Sequence, residues 1–208
     1  MVEHGRFGLI EWAAAGRALA GERVCGDRAI AVGVDGAGVL VGVLDGLGHG
    51  AEAATAAGCG VEVLRGARTE SLDVLVRLCH RALTATRGAA MTLARIDDTR
   101  GTLRWIGIGN VTANLVAKRP GGIAVRSSVR SAAGIVGYRL PEVLTPQEVS
   151  IRPGDVLIIA SDGIGENHMT SIDFAAPALV NARQILADHA KSTDDALVLV
   201  ARHRGTSR

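Results

Sequence analysis

The sequence predicts an α+β layered fold in which antiparallel sheets carry helices on their outer faces. Three observations predict it. The order of elements is strands, two helices, a long run of strands, one helix and a last strand, unlike the strict alternation of a doubly wound sheet. The stretches VLVGVLD (39–45) and VLIIAS (156–161) are almost wholly apolar, as strands covered on both faces are. Turn signals separate the apolar runs: Asp35-Gly36, Thr99-Arg100-Gly101, Pro120-Gly121-Gly122 and Pro153-Gly154.

Each element follows in order. FGLIEWAAA (7–15) reads as a strand, and residues 16–27 as a turn-rich link that holds Glu22 and Asp27. Residues 28–34 and 38–45 make a hairpin about Asp35-Gly36. Ala53, Ala57, Val61 and Leu64 recur at helical spacing. So do Leu72, Leu75, Val76, Cys79 and Leu83, behind Ser71 as N-cap. From Ala89 the period changes, and 89–97, 102–110, 111–119 and 123–128 read as a meander. A loop at 131–141 interrupts it. Strands 142–151 and 155–163, a helix within 170–189 and a strand over 194–203 complete the chain. No repeat or linker divides it, so one domain spanning 1–208 is expected.

Composition narrows the function. Hydrophobic residues make up 48% and aromatic residues only 2%, so the core is built from Val, Leu, Ile and Ala, and base-stacking platforms are lacking. The formal charge is +2 with the basic residues dispersed, and the basic tail RHRGTSR (202–208) is short, so no nucleic-acid partner is expected. Cys25, Cys59 and Cys79 are odd in number and form no CxxC pair, which points to reduced thiols. The start lacks the pattern of a signal peptide, and no apolar run is long enough to span a membrane. A cytoplasmic monomer is expected.

The chemistry-bearing residues are acidic. VLVGVLDG and VLIIASDG both end apolar strands in Asp-Gly, at Asp45-Gly46 and Asp162-Gly163. Asp194 and Asp195 open the last strand and can reach the same edge, while Glu22 and Asp27 precede another strand. One Asp-Gly alone is ordinarily a turn. Several carboxylates at the mouths of central strands would repel one another, and a hard divalent cation such as Mg²⁺ or Mn²⁺ relieves that. Gly46, Gly48 and Ala51 also fit the dinucleotide pattern G-x-G-x-x-A, but the helix there runs into a second helix instead of completing a βαβ unit. No Gly-Lys-Ser/Thr follows, which excludes a P-loop.

AGERVCGD (20–27), VLDGLGHG (43–50), WIGIGN (105–110), ASDGIGE (160–166) and TDDALVLVAR (193–202) occur in that order. Together they resemble the metal-dependent PPM (type 2C-like) protein phosphatases, in particular the SpoIIE-like branch and its RsbX-type members. The resemblance implies an α-β-β-α sandwich of two antiparallel sheets with two Mn²⁺ or Mg²⁺ ions between them. It implies a serine/threonine protein phosphatase, a feedback regulator of a general stress response that acts on phosphorylated stressosome proteins of the RsbR and RsbS kind. Carried over by motif, Asp45 bridges both ions, the Gly46 carbonyl binds one, and Asp162 and Asp194 complete the other. Glu22 and Asp27 hold metal-bound waters. A metal-bridging hydroxide then attacks phosphorus, and no cysteine takes part. His49 and Asp195 are further candidates, His49 as a proton donor or a polar residue at the helix entrance, Asp195 as an alternative ligand. The resemblance supplies no match for the arginine that grips phosphate in larger relatives. A weakly catalytic partner-switching module on the same fold is the alternative.

Overall fold

The computed structural model describes residues 1–34, 36 and 38–205. Asp35 of the expected Asp35-Gly36 turn and the last three residues of RHRGTSR lie outside the described residues. The chain runs β1 (Val2–Phe7), β2 (Ile10–Arg17), β3 (Asp27–Val34), β4 (Gly38–Gly46), α1 (Gly50–Gly66), α2 (Leu72–Ala82), β5 (Ala89–Asp97), β6 (Thr102–Ile108), β7 (Thr112–Arg119), β8 (Gly122–Ser128), β9 (Gln147–Ser150), β10 (Val156–Ala160), a 3₁₀ turn (Glu166–Ser171), α3 (Ala178–His189) and β11 (Ala196–His203).

The apolar runs sort these strands into two antiparallel sheets. One has the order β1-β2-β11-β10-β7-β8, the other β3-β4-β5-β6-β9. Strands β4, β10 and β11, apolar but for Asp45 and for Arg202 and His203 at their ends, are flanked on both sides within their sheets, where a strand without a polar face is stable. Between the sheets lies a core of alternating residues: Val39, Val41 and Val43 from β4, Trp105 from β6, Leu157 and Ile159 from β10, and Leu197 and Leu199 from β11. The opposite faces of the same strands are covered by helices. Leu40 and Leu44 meet Val61, Leu64, Leu75 and Cys79 of α1 and α2, while Ile158, Val198 and Val200 meet Ala178, Ala182 and Ile185 of α3. Each fully buried Leu, Ile or Val contributes roughly 1.5–3 kcal/mol. The expected α-β-β-α sandwich is therefore the observed one.

Local boundaries differ in four places. The strand expected at 7–15 is a hairpin turning at Gly8, whose φ of 52° favours glycine. Its first arm, VEHGRF, is mostly exposed and carries no apolar pattern. The meander from Ala89 is split: β5 and β6 stay in one sheet, and the chain crosses at Gly109 (φ 87°) so that β7 and β8 join the other. The strand expected over 142–151 is confined to 147–150, just after Pro146, which has no N–H to donate to a ladder. The helix expected within 170–189 begins only after Pro177, which sits at its N-cap.

Candidate active site

The site forms where the ends of β4 and β10 and the start of β11 meet at one edge of the sandwich. Asp27 opens β3 and Asp45 closes β4, and the antiparallel register sets them directly opposite one another. Like charges in that position destabilise a sheet. Burial pushes both carboxyls well above the ordinary range. For Asp45 the charges of Asp27, Asp162 and Asp194 push it further; for Asp27 those of Asp195, Asp194 and Asp162 do so, against a lowering hydrogen bond from Ser161.

Ser161 ties this pair to the second sheet. Its hydroxyl donates to Asp27 Oδ2 at 2.7 Å and accepts the Leu197 N–H at 3.0 Å. The next residue, Asp162, is exposed, and its Oδ2 accepts a hydrogen bond from Asn110 Nδ2 at 2.7 Å. Lys191 Nζ donates to the Asp162 carbonyl at 2.6 Å. Asp194 accepts the Asp195 N–H at 2.8 Å, and its carboxyl is raised by burial and then by Asp162 and Asp195.

The two acidic residues of the closing motif have different work. Asp195 is buried, and its Oδ1 and Oδ2 accept the N–H groups of Leu19 and Gly26, each at 2.7 Å. Both oxygens thus anchor the loop that carries Glu22. Asp194 is the one with oxygen left to offer. Glu22 lies at the N-terminus of α1, where a negative charge is favoured, and His49 Nδ1 stands 2.6 Å from its Oε1. His49 occupies the N-cap of α1 without making a side-chain cap bond.

The glycines have a packing explanation. A Cβ on Gly46 would strike the backbone of Ala53 in α1, and one on Gly163 would strike the Asp195 carbonyl. Neither residue needs a positive φ; Gly48 and Gly50 do, at 83° and 76°. The missing Cβ of Gly46 therefore admits the helix. Gly48 lies against the Arg87 guanidinium, which pairs with Glu52.

The donor set fits a hard divalent cation. It is all oxygen, and its members raise one another's proton affinity, which a cation would reverse. Among the described residues no three His, Cys, Asp or Glu side chains are gathered closely enough to hold one ion as they stand. The sequence motifs alone gave no role to Ser161, Lys191 or Asn110. Ser161 and Asn110 sit inside the quoted motifs, but their partners lie far off in sequence.

Comparison with known proteins decides the family. A family model for stage II sporulation protein E (SpoIIE) matches residues 35–204. The chain belongs to the SpoIIE family. A chain solved in work on the bacterial stressosome as a modular system adapted to control secondary messenger signalling is 32% identical. That alignment covers 93% of this chain and 99% of the other, with a TM-score of 0.81. RsbX in complex with magnesium is 19% identical over 97% of this chain and 98% of that one, TM-score 0.78. The PP2C phosphatase domain of SpoIIE from Bacillus subtilis is 18% identical over 97% of this chain and 70% of that one, TM-score 0.75. No curated protein matches. Its fold is that of the PPM serine/threonine phosphatases MsPP from Mycobacterium smegmatis and PstP from Mycobacterium tuberculosis, with TM-scores of 0.64 and 0.65. No helix among the described residues is long and apolar enough to cross a membrane.

Proposed function

We propose that this single 1–208 domain is a Mn²⁺- or Mg²⁺-dependent phosphatase that removes phosphate from serine or threonine of stressosome proteins of the RsbR and RsbS kind. The observation that carries the reading is that Asp27 stands opposite Asp45 in the ladder and that Asp162 and Asp194 act on the same carboxyl at one mouth between the sheets, with no Lys or Arg side chain paired to Asp45 among the described residues. Asp45, the Gly46 carbonyl, Asp162 and Asp194 would hold two Mn²⁺ or Mg²⁺ ions. When bound, the ions would supply an activated water near neutral pH and offset phosphoryl charge.

The chain's own residues do the positioning. Asn110 fixes the Asp162 carboxylate, and Ser161 fixes Asp27. Asp195 holds the loop that presents Glu22, so that Glu22 and Asp27 can hold waters at the rim. The likeness to RsbX over nearly the whole of both chains supports the substrate class and a role in feedback on a stress response. Three unpaired cysteines fit a cytoplasmic setting.

Phosphate release from a phosphorylated RsbS-type protein tests this. We expect release with Mn²⁺, none with chelator, and none from Asp45→Asn. Folded wild-type protein that binds Mn²⁺ and the phosphoprotein without releasing phosphate would instead be a partner-switching module.

A further inference from the structure

Beside the carboxylates lies an open groove of about 500 Å³. Three links join it to them. Leu47, in its wall, follows Asp45-Gly46; Ala90 is the register partner of Asp45; Asn110 is bonded to Asp162. The far wall is the segment Ser131–Ile135.

That wall is pinned in place. Gly109 N–H donates to the Ala132 carbonyl at 3.0 Å, and Ala132 N–H to Gly107 at 2.9 Å. Val136 and Ala89 exchange two bonds of 2.9 Å, and Gly137 N–H donates to His80 Nδ1 at 3.0 Å. Between these anchors, among the described residues, Ala133 and Gly134 make no hydrogen bond. Their backbone groups and small side chains leave a site where an extended strand can lie and pair.

The rim shows what would lie there. Residues 129–143 include Arg130 and Arg139 against a single acidic residue, Glu142. Tyr138, the chain's one tyrosine, is 82% exposed at the tip of the same loop, and Val143 just beyond it is 75% exposed. Exposed arginines at both ends of the segment that walls the groove, with an exposed tyrosine on the same loop, suit an acidic polypeptide.

We propose that the groove between Leu47, Asn110 and Ala133 receives the extended phosphosite segment of the protein substrate, with Tyr138, Arg130 and Arg139 selecting acidic flanks. The inference rests on the phosphatase reading and adds which surface reads the protein part of the substrate. The loop pinned to α2 by His80 and to β5 by Val136 holds the segment so that its phosphoseryl group reaches the carboxylate mouth.

The test compares specificity constants for three substrates with Mn²⁺: a phosphoserine peptide flanked by glutamates, the same peptide flanked by lysines, and p-nitrophenyl phosphate. Wild type should prefer the glutamate-flanked peptide. In Ala133→Glu, and separately in Tyr138→Ser with Arg139→Glu, the ratio of acidic-peptide to p-nitrophenyl phosphate kcat/KM should fall about tenfold. Tyr138 and Arg139 are exposed, so that second variant keeps the fold. An unchanged ratio in both variants, or a wild-type preference for lysine flanks, would overturn the groove assignment alone. Failure of wild type to hydrolyse p-nitrophenyl phosphate with Mn²⁺ would overturn the phosphatase reading and the groove with it.

Discussion

Asp45-Gly46 and Asp162-Gly163 look like copies in the sequence and behave differently in the structure. Both end an apolar central strand, and both glycines are pressed by backbone from another element. Their carboxylates part company there. Asp45 faces Asp27 across the ladder, is half-buried, and is driven toward its protonated form. Asp162 is exposed, held by Asn110, with Lys191 on its own carbonyl. The first end is a half-buried carboxyl crowded by other carboxyls; the second is a carboxylate already aimed and exposed. One dipeptide at the end of one kind of strand thus serves as the anchor of a site in one place and its adjustable edge in the other.

That contrast can be broken most strongly at Asp45. Asp45→Asn should lower phosphatase activity by roughly three orders of magnitude or more, while the metal-free protein gains a few degrees in melting temperature because the cost of taking up a proton to bury that carboxyl is gone. Asp162→Asn should also cost activity but leave metal-free stability within about 0.5 kcal/mol, as an exposed position does. Parallel activity and thermal-melt series on the two variants check this. Equal stability changes would erase the distinction.

The shared feature is tested next. Gly46→Ala and Gly163→Ala should each destabilise by roughly 1–3 kcal/mol or more in denaturant titration, since each Cβ meets backbone that cannot swing aside. Tolerance of either would remove the packing account of that glycine. A smaller effect is expected at Asn110. Asn110→Ala should weaken metal affinity or activity by about tenfold without changing the melt, because it frees the Asp162 carboxylate.

The smallest effect belongs to the loop after Asp162. His168 is buried, its Nδ1 meets the Gly165 carbonyl at 2.8 Å, and burial, with His189 nearby, holds its pKa below the usual histidine value. The folded form therefore resists a proton that the unfolded chain accepts. Stability contributed here is full above the ordinary histidine range, about pH 6.5, and declines as pH falls below it. His168→Gln should flatten that acid-side decline in a pH series of melts, and an unaltered slope would refute it.

Much of this was legible in the sequence where the signal is local. Apolar runs ending in Asp-Gly announced β4, β10 and the edge where Asp45 and Asp162 lie, and the order of elements announced the layers. The exposed strand β1 was not legible, because VEHGRF pairs through backbone and buries little side chain. Nor were the supports of the site. Asn110 reaches Asp162 across 52 positions, Ser161 reaches Asp27 across 134, and Asp195 reaches Gly26 across 169. Asp194 and Asp195 are adjacent and chemically identical, so only the fold separates the free carboxylate from the loop anchor.

The most direct measurement is calorimetric titration of Mn²⁺ into wild type, Asp45→Asn and Asp162→Asn. The account predicts two bound ions in wild type, none in Asp45→Asn, and weakened binding that survives in Asp162→Asn. Wild-type protein that takes up no Mn²⁺, or an Asp45→Asn variant that binds as wild type does, would contradict it.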